Sequence, residues 1–280
     1  MVQHLIVPVD GSDASWRAAD VAVALARRCD ASIDLIEVVF DQHDAAGAEA
    51  RVAERLEQHD TSGVSVTPHV RVAAESVAQV IGNEVERHPE VTVVLASHGR
   101  GRSAALLGSV TEELLGRIFG PVLVVGPHVT ASALDGPIIA TVDGSDASES
   151  VLPLAAAWAI ELGGEVWIVE VVAAGATVSA DISQSAYPAR LAHKLATSSG
   201  HTVQYEVLHG KHVHDEVADF ASSIDASMIV ASTRGRTGMS RFVVGSTAAA
   251  IVRQAPCPVL LVAAAASPRL SGSSVHPALQ

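Results

Sequence analysis

Short β-branched apolar runs alternate along this chain with longer stretches of helical periodicity, the trace that βα units leave when they build a parallel sheet. Five apolar runs fall near residues 4–9, 32–39, 64–71, 91–96 and 121–126. Five more fall near 137–142, 165–172, 202–208, 227–232 and 258–263, again with helical stretches between neighbours. The pattern predicts an α/β protein made of two five-stranded parallel-sheet units in tandem.

The two halves are copies of one another. VDGSDAS reads from Val9 to Ser15 and again from Val142 to Ser148, and Glu37-Val38 recurs at the same offset as Glu170-Val171. Gly108-Ser109 matches Gly245-Ser246, and Pro121-Val122-Leu123 matches Pro258-Val259-Leu260, at a slightly longer offset. Repeats of this kind organise the fold, because each copy is one supersecondary assembly. Domains are expected over 1–130 and 136–265. The segment around 127–137 mixes Pro, Gly, Ser and Thr, as a linker does. Beyond about residue 265 there is no periodicity, and 266–280 is expected to be a flexible tail.

Composition refines this picture. A length of 280 residues exceeds one ordinary core. Hydrophobic residues make up 49% but aromatics 3%, so the core has to be Ala, Val, Leu and Ile in thin layers. A formal charge of −13 repels phosphate backbones, which argues against nucleic acid and anionic membrane as partners. No stretch reaches the roughly 18 apolar residues of a membrane span, and the start lacks a leader pattern, so a soluble, cytoplasmic protein is expected. Cys29 and Cys257, at a helix end and a strand start, read as core thiols.

Ligands of open parallel sheets sit beyond the carboxyl ends of the strands, where strand order reverses. After the first strand of each copy come Asp10-Gly11-Ser12 and Asp143-Gly144-Ser145. The Asp can accept from a ribose or help hold a metal, the Gly admits close approach, and Ser12 or Asp13, like Ser145 or Asp146, caps the next helix. After the fourth strand the copies read SHGRGRSAALLGSVTEE (Ser97 to Glu113) and STRGRTGMSRFVVGSTAAA (Ser232 to Ala250). Each sets Gly and Arg in a loop before a Gly-Ser step that opens a helix, whose N–H groups and dipole attract an anion. Arg100, Arg102, Arg234, Arg236 and Arg241 gather at this edge of an acidic chain, as an anionic ligand requires. There is no G-x-x-x-x-G-K-[ST] run, so the chain is not a P-loop NTPase by motif. His209, His212 and His214 could form a metal site, but they have no counterpart in copy one and read better as structural or surface histidines.

The DGS turn, the glycine-rich loop, the Gly-Ser helix start and the closing PVLVV strand together resemble the universal stress protein family, over both repeats. Its ATP-binding branch carries a Gly, two residues, a second Gly, nine residues, then Gly followed by Ser or Thr. Copy two matches from Gly235 onward but has Ser232 at the first glycine; copy one has Ala96 there and is one residue short between Gly99 and Gly108.

The resemblance implies three-layer α/β/α domains of the adenine nucleotide alpha hydrolase-like, Rossmann-like type. It implies ATP as ligand, with Mg²⁺ as an accompanying ion and AMP or cyclic AMP as lesser alternatives. Asp10 and Asp143 would contact the ribose or the metal–phosphate region. Val38 or Val39, and Val171 or Val172, would flank the adenine, with Glu37 and Glu170 beside it. Gly99, Gly108, Ser109 and Val110 would hold phosphates in copy one, and Gly235, Gly245, Ser246 and Thr247 in copy two. The final strands would pair across the domains as an internal pseudo-dimer, leaving a homodimer or higher self-association and unidentified protein partners as further expectations. The function implied is that of a nucleotide-binding regulatory protein in stress response. No residue stands out as a general base, so at most a slow ATPase is expected. Two alternatives stay open: a protein-interaction module whose altered loop no longer binds nucleotide, and a true phosphotransfer enzyme using Asp10 or Asp143.

Overall fold

The computed structural model describes residues 2–88, 90–99, 107–118, 120–130, 134–173, 181–233 and 244–263. The expected tail at 266–280 and the arginines at 100, 102, 234, 236 and 241 lie outside them, as does Gly235. In copy one the elements are β1 (His4–Val9), α1 (Asp13–Cys29), β2 (Ser32–Val39), α2 (Gln42–Leu56), β3 (Val66–Val72), α3 (Val77–Arg87), β4 (Thr92–Ala96), α4 (Ser109–Arg117) and β5 (Val122–Val125). Copy two has β6 (Ile138–Val142), α5 (Asp146–Glu149), α6 (Leu152–Leu162), β7 (Val166–Ala173), α7 (Asp181–Ser199), β8 (Val203–Gly210), α8 (Val213–Ser223), β9 (Met228–Ser232), α9 (Ser246–Gln254) and β10 (Val259–Val262).

Local chemistry sets the helix ends. Ser12 caps α1 by accepting from the Ser15 amide at 3.2 Å, with Asp13 in the first turn and Arg27 and Arg28 in the last, as the helix dipole favours. Copy two breaks the corresponding helix into α5 and α6, with Pro153 at the start of the second piece, where its missing N–H costs nothing.

The strands within each copy are parallel, in the order β3-β2-β1-β4-β5 and, in reverse, β10-β9-β6-β7-β8. The two five-stranded units that the sequence predicts are joined, among the described residues, into a single ten-stranded sheet. The final strands join them: β5 and β10 run antiparallel, with Leu123 opposite Leu260. This is the cross-copy pairing that the resemblance implied.

Period-two alternation divides the buried side chains between the two faces of the sheet. Leu5, Val7 and Leu35 face α1 and join one cluster that also takes in Trp158 and Leu162 of α6. Ile6, Ile36 and Leu95 face α3 and α4, in a second cluster that continues into copy two through Val169, Ile229 and Ile251. Arg28 on α1 donates to the carbonyl of Leu162, a further tie between the copies. Both cores therefore cross the repeat boundary.

Candidate functional site

At the carboxyl edge of each half-sheet lies a crevice, of about 180 Å³ in copy one and about 280 Å³ in copy two. One wall is the turn after the first strand. Gly11 and Gly144 adopt φ of 77° and 81°, a left-handed conformation that a side chain would strain. The turn then closes on the aspartate: the Ser12 amide and hydroxyl both donate to Asp10 Oδ1, at 3.0 and 2.6 Å. Ser145 does the same to Asp143, at 3.0 and 2.5 Å. Ser15 and Ser148 lock the arrangement, each hydroxyl accepting from the aspartate amide, at 3.3 and 3.1 Å. Of the capping alternatives, Ser12 and Ser145 are the caps, while Asp13 and Asp146 stand in the first helical turns. Gly99 sits so close to the Asp10 carboxylate that a Cβ there would collide with it.

The opposite wall is a helix start. Gly108 and Gly245 are the N-cap residues of α4 and α9, and neither helix has a side-chain cap. The glycine amides are used, donating to the carbonyls of Ser97 at 2.7 Å and Thr233 at 2.8 Å. The next amides belong to Ser109 and Val110 in copy one and to Ser246 and Thr247 in copy two, all residues of the crevice lining. Helix-start donors without a side-chain acceptor, at the positive end of a dipole, have the chemistry to receive an anion.

Between these walls the floor is aliphatic. Val38, Val77 and Leu95 line copy one, and Val169, Val171 and Val213 line copy two. The structure thus brings together Asp10, Val38, Gly99, Gly108, Ser109 and Val110, and separately Asp143, Val171, Gly245, Ser246 and Thr247. Val39 turns to the other face, against Ala45 and Ala48. Ala96 and Ser232, where the motif has its first glycine, end β4 and β9 and line the crevices with their side chains in place.

One expectation is overturned. Glu37 does not lie beside the aliphatic floor; it lies on the opposite face of β2, buried, where Arg51 of α2 donates to its Oε1 at 3.3 Å. Alternation dictates this, since Val38 cannot face the crevice unless Glu37 faces away. The same reversal puts Glu170 near Tyr187 of α7.

Sequence reasoning missed Val77 and Val213, which open α3 and α8 and reach both floors, as well as His98 and Thr111. A recurring Val just after the third strand was the available signal. His209 ends up in β8, His212 at the cap of α8 and His214 within it. Among the described residues no group of three His, Cys, Asp or Glu side chains is arranged to hold a metal. Among them, too, no helix is long and apolar enough to cross a membrane. Cys29 is half-buried and Cys257 buried; burial pushes their thiols up to about 11 and about 12.

Paired crevices at the carboxyl edges of two joined parallel sheets define a tandem Rossmann-like α/β protein. The model of the universal stress protein family matches residues 1–126 and 136–263, and the chain belongs to that family. A universal stress protein of Methanocaldococcus jannaschii is 38% identical over 69 residues, which is 25% of this chain and 40% of that relative, so less than half of the relative's length is spanned. The crystal structure of a universal stress protein from Archaeoglobus fulgidus superposes with a TM-score of 0.67 at 19% identity, covering 93% of this chain and 96% of that one. A second universal stress protein structure from Archaeoglobus fulgidus, in complex with dAMP, is 29% identical with a TM-score of 0.39, covering 45% of this chain and 97% of that one.

Proposed function

We propose that the crevices bind an adenine nucleotide, ATP foremost, and that the chain is a nucleotide-dependent regulatory protein. The observation that carries this reading is the uncapped glycine start of α4 and of α9, each facing an aspartate-bearing turn across an aliphatic floor. Three chemistries converge there: amides for phosphate, a carboxylate for a ribose hydroxyl, and apolar surface for a flat base.

Mg²⁺ fits the same arrangement through its preference for hard oxygen donors, which Asp10 and Asp143 supply. Bound there with the phosphates, it would neutralise their charge. The chain's own contribution is to hold each aspartate in place through the serine that follows it, at 2.6 and 2.5 Å. Hydroxyls, amides and aliphatic chains make up most of the lining, so the crevice is built for binding, and any hydrolysis would be slow.

Calorimetric titration of nucleotide-stripped protein with ATP, AMP and cyclic AMP, each with and without Mg²⁺, tests the proposal. Saturable heat with ATP is expected, and at least a tenfold loss of affinity at the second site in Gly245→Val. A second reading, a protein-interaction module without nucleotide, draws on the Cβ atoms that Ala96 and Ser232 present to the crevices. The absence of heat with all three nucleotides would favour it.

A further inference from the structure

Where the two copies meet, at the amino-terminal edge of the sheet and so at the far end of the strands from both crevices, lies a cleft of about 150 Å³. Its apolar lining comes from Val2 and Pro121 of copy one and from Leu154 and Ala157 of α6, with Trp158 almost wholly buried beneath them. Three polar side chains interrupt that lining: Glu90, Thr92 and Glu161.

Thr92 is the informative one. Val94, two residues further along β4, packs into the cluster beneath α1 and α6, so alternation turns the Thr92 side chain to the same face. Thr92 is 4% exposed, and its hydroxyl has no hydrogen-bond partner among the described residues. A hydroxyl withdrawn from water without a partner costs stability, and the side on which this one is open is the cleft. The carboxylates of Glu90, exposed at the rim, and of Glu161, partly buried, form no ion pair among the described residues. Arg28, whose charge acts on Cys29 together with that of Glu161, is engaged by the Leu162 carbonyl.

The internal repeat shows that the fold does not need these groups. Leu5 pairs with Thr92 as Ile138 pairs with Met228, so at the matching position of copy two a fully buried methionine replaces the hydroxyl. At the same offset Ala226 stands for Glu90. Counted from the shared VDGSDAS run, Arg28 stands for Glu161. An unpaired hydroxyl and two carboxylates around an apolar floor are therefore particular to one of two equivalent places.

We infer that this cleft is a ligand site for a small alkylammonium ion, a compact hydrocarbon body carrying a protonated amine. The ammonium donates to Thr92 Oγ1 and to the Glu161 carboxylate, while Glu90 adds its charge at the rim. The hydrocarbon rests on Val2, Pro121, Leu154 and Ala157, in the manner of a pocket between domains. The volume suits a body of about six carbons, since an apolar cavity of about 150 Å³ takes up benzene. The net charge of −13 favours a cation throughout.

The test is calorimetric titration of the full chain at neutral pH with cyclohexylamine, with cyclohexanol and ammonium chloride as comparison probes that lack the charge and the hydrocarbon respectively. Saturable binding of cyclohexylamine is expected, weakening as sodium chloride is raised, with each comparison probe about tenfold weaker or more. Glu161→Gln should weaken it about tenfold and Thr92→Val about fivefold, because one removes the charge and the other the buried acceptor. Far-ultraviolet dichroism of both variants should match that of the parent protein, as the methionine at the matching position of copy two implies for Thr92→Val. No saturable heat with cyclohexylamine would overturn the assignment, as would equal affinity for either comparison probe, or undiminished binding in Glu161→Gln.

Discussion

Leu123 and Leu260 face each other across the antiparallel pair β5–β10, and they are the same position of the internal repeat. The pseudo-two-fold relation between the copies therefore passes through this pair, and both side chains are fully buried. Because each helix-facing core crosses the boundary, the halves should not melt apart. The tryptophan fluorescence of the variant Trp158→Phe, Trp167→Phe, which leaves Trp16 of copy one as the emitter, and the far-ultraviolet dichroism of the whole chain should report one denaturant transition. Leu260→Ala should lower stability by about 2–5 kcal/mol while keeping that single transition. Two separated transitions in the parent protein would contradict the shared core.

The two crevices should differ in tolerance at their helix starts. A Cβ on Gly245 would stand 3.2 Å from the Thr233 carbonyl oxygen, whereas one on Gly108 would keep 3.4 Å from its nearest neighbours, the Ser97 oxygen and His98 Cα. The first needs the loop to give way, and the second is ordinary contact. Gly245→Ala should thus weaken nucleotide at copy two more than Gly108→Ala does at copy one. Two-site calorimetry of the single variants measures the difference, and a larger effect at Gly108 would count against the geometry.

Ser12 and Ser145 each do two things, capping a helix and holding the aspartate before it. Ser12→Ala and Ser145→Ala should each cost about 1 kcal/mol in denaturant unfolding. The sites share no partner, so the double variant should show the sum. A marked departure from additivity would mean that the turns are coupled through the sheet.

Much of this fold was legible because its signals are local. The strand His4–Val9, the serine caps and the Gly-Ser helix starts all follow from periodicity and short-range chemistry. The duplicated DGS turn marks both aspartates in the sequence itself. Glu37 was misplaced because the motif was read as a set of neighbours, whereas a strand sends neighbours to opposite faces. Tyr187 and Arg51 were invisible for a different reason. They come from α7 and α2, helices of 19 and 15 residues whose sequences do not align, so the repeat gives no register in which to compare them.

The two thiols give the molecule an alkaline weakness of predictable sign. Burial is the largest cause of the upward displacement of Cys29, to about 11, and of Cys257, to about 12, from an ordinary value of 9.0. A thiol whose ionisation is raised in the folded state stays protonated there while its unfolded counterpart has begun to release its proton. Above the ordinary thiol value the unfolded chain therefore binds fewer protons than the folded one, and unfolding becomes easier as pH rises. Below it the thiols contribute no slope. The stabilising effect of keeping them neutral is present at pH 8 and is lost progressively as pH climbs through the folded values. Denaturant midpoints measured at intervals from pH 8 to pH 11 should fall, and they should fall less steeply in the Cys29→Ala, Cys257→Ala double variant. Consistent with burial, a thiol reagent at pH 8 should modify Cys257 only as fast as the chain opens. Rapid modification of Cys257 in the native protein would show that its surroundings are wetter than the packing around β10 implies.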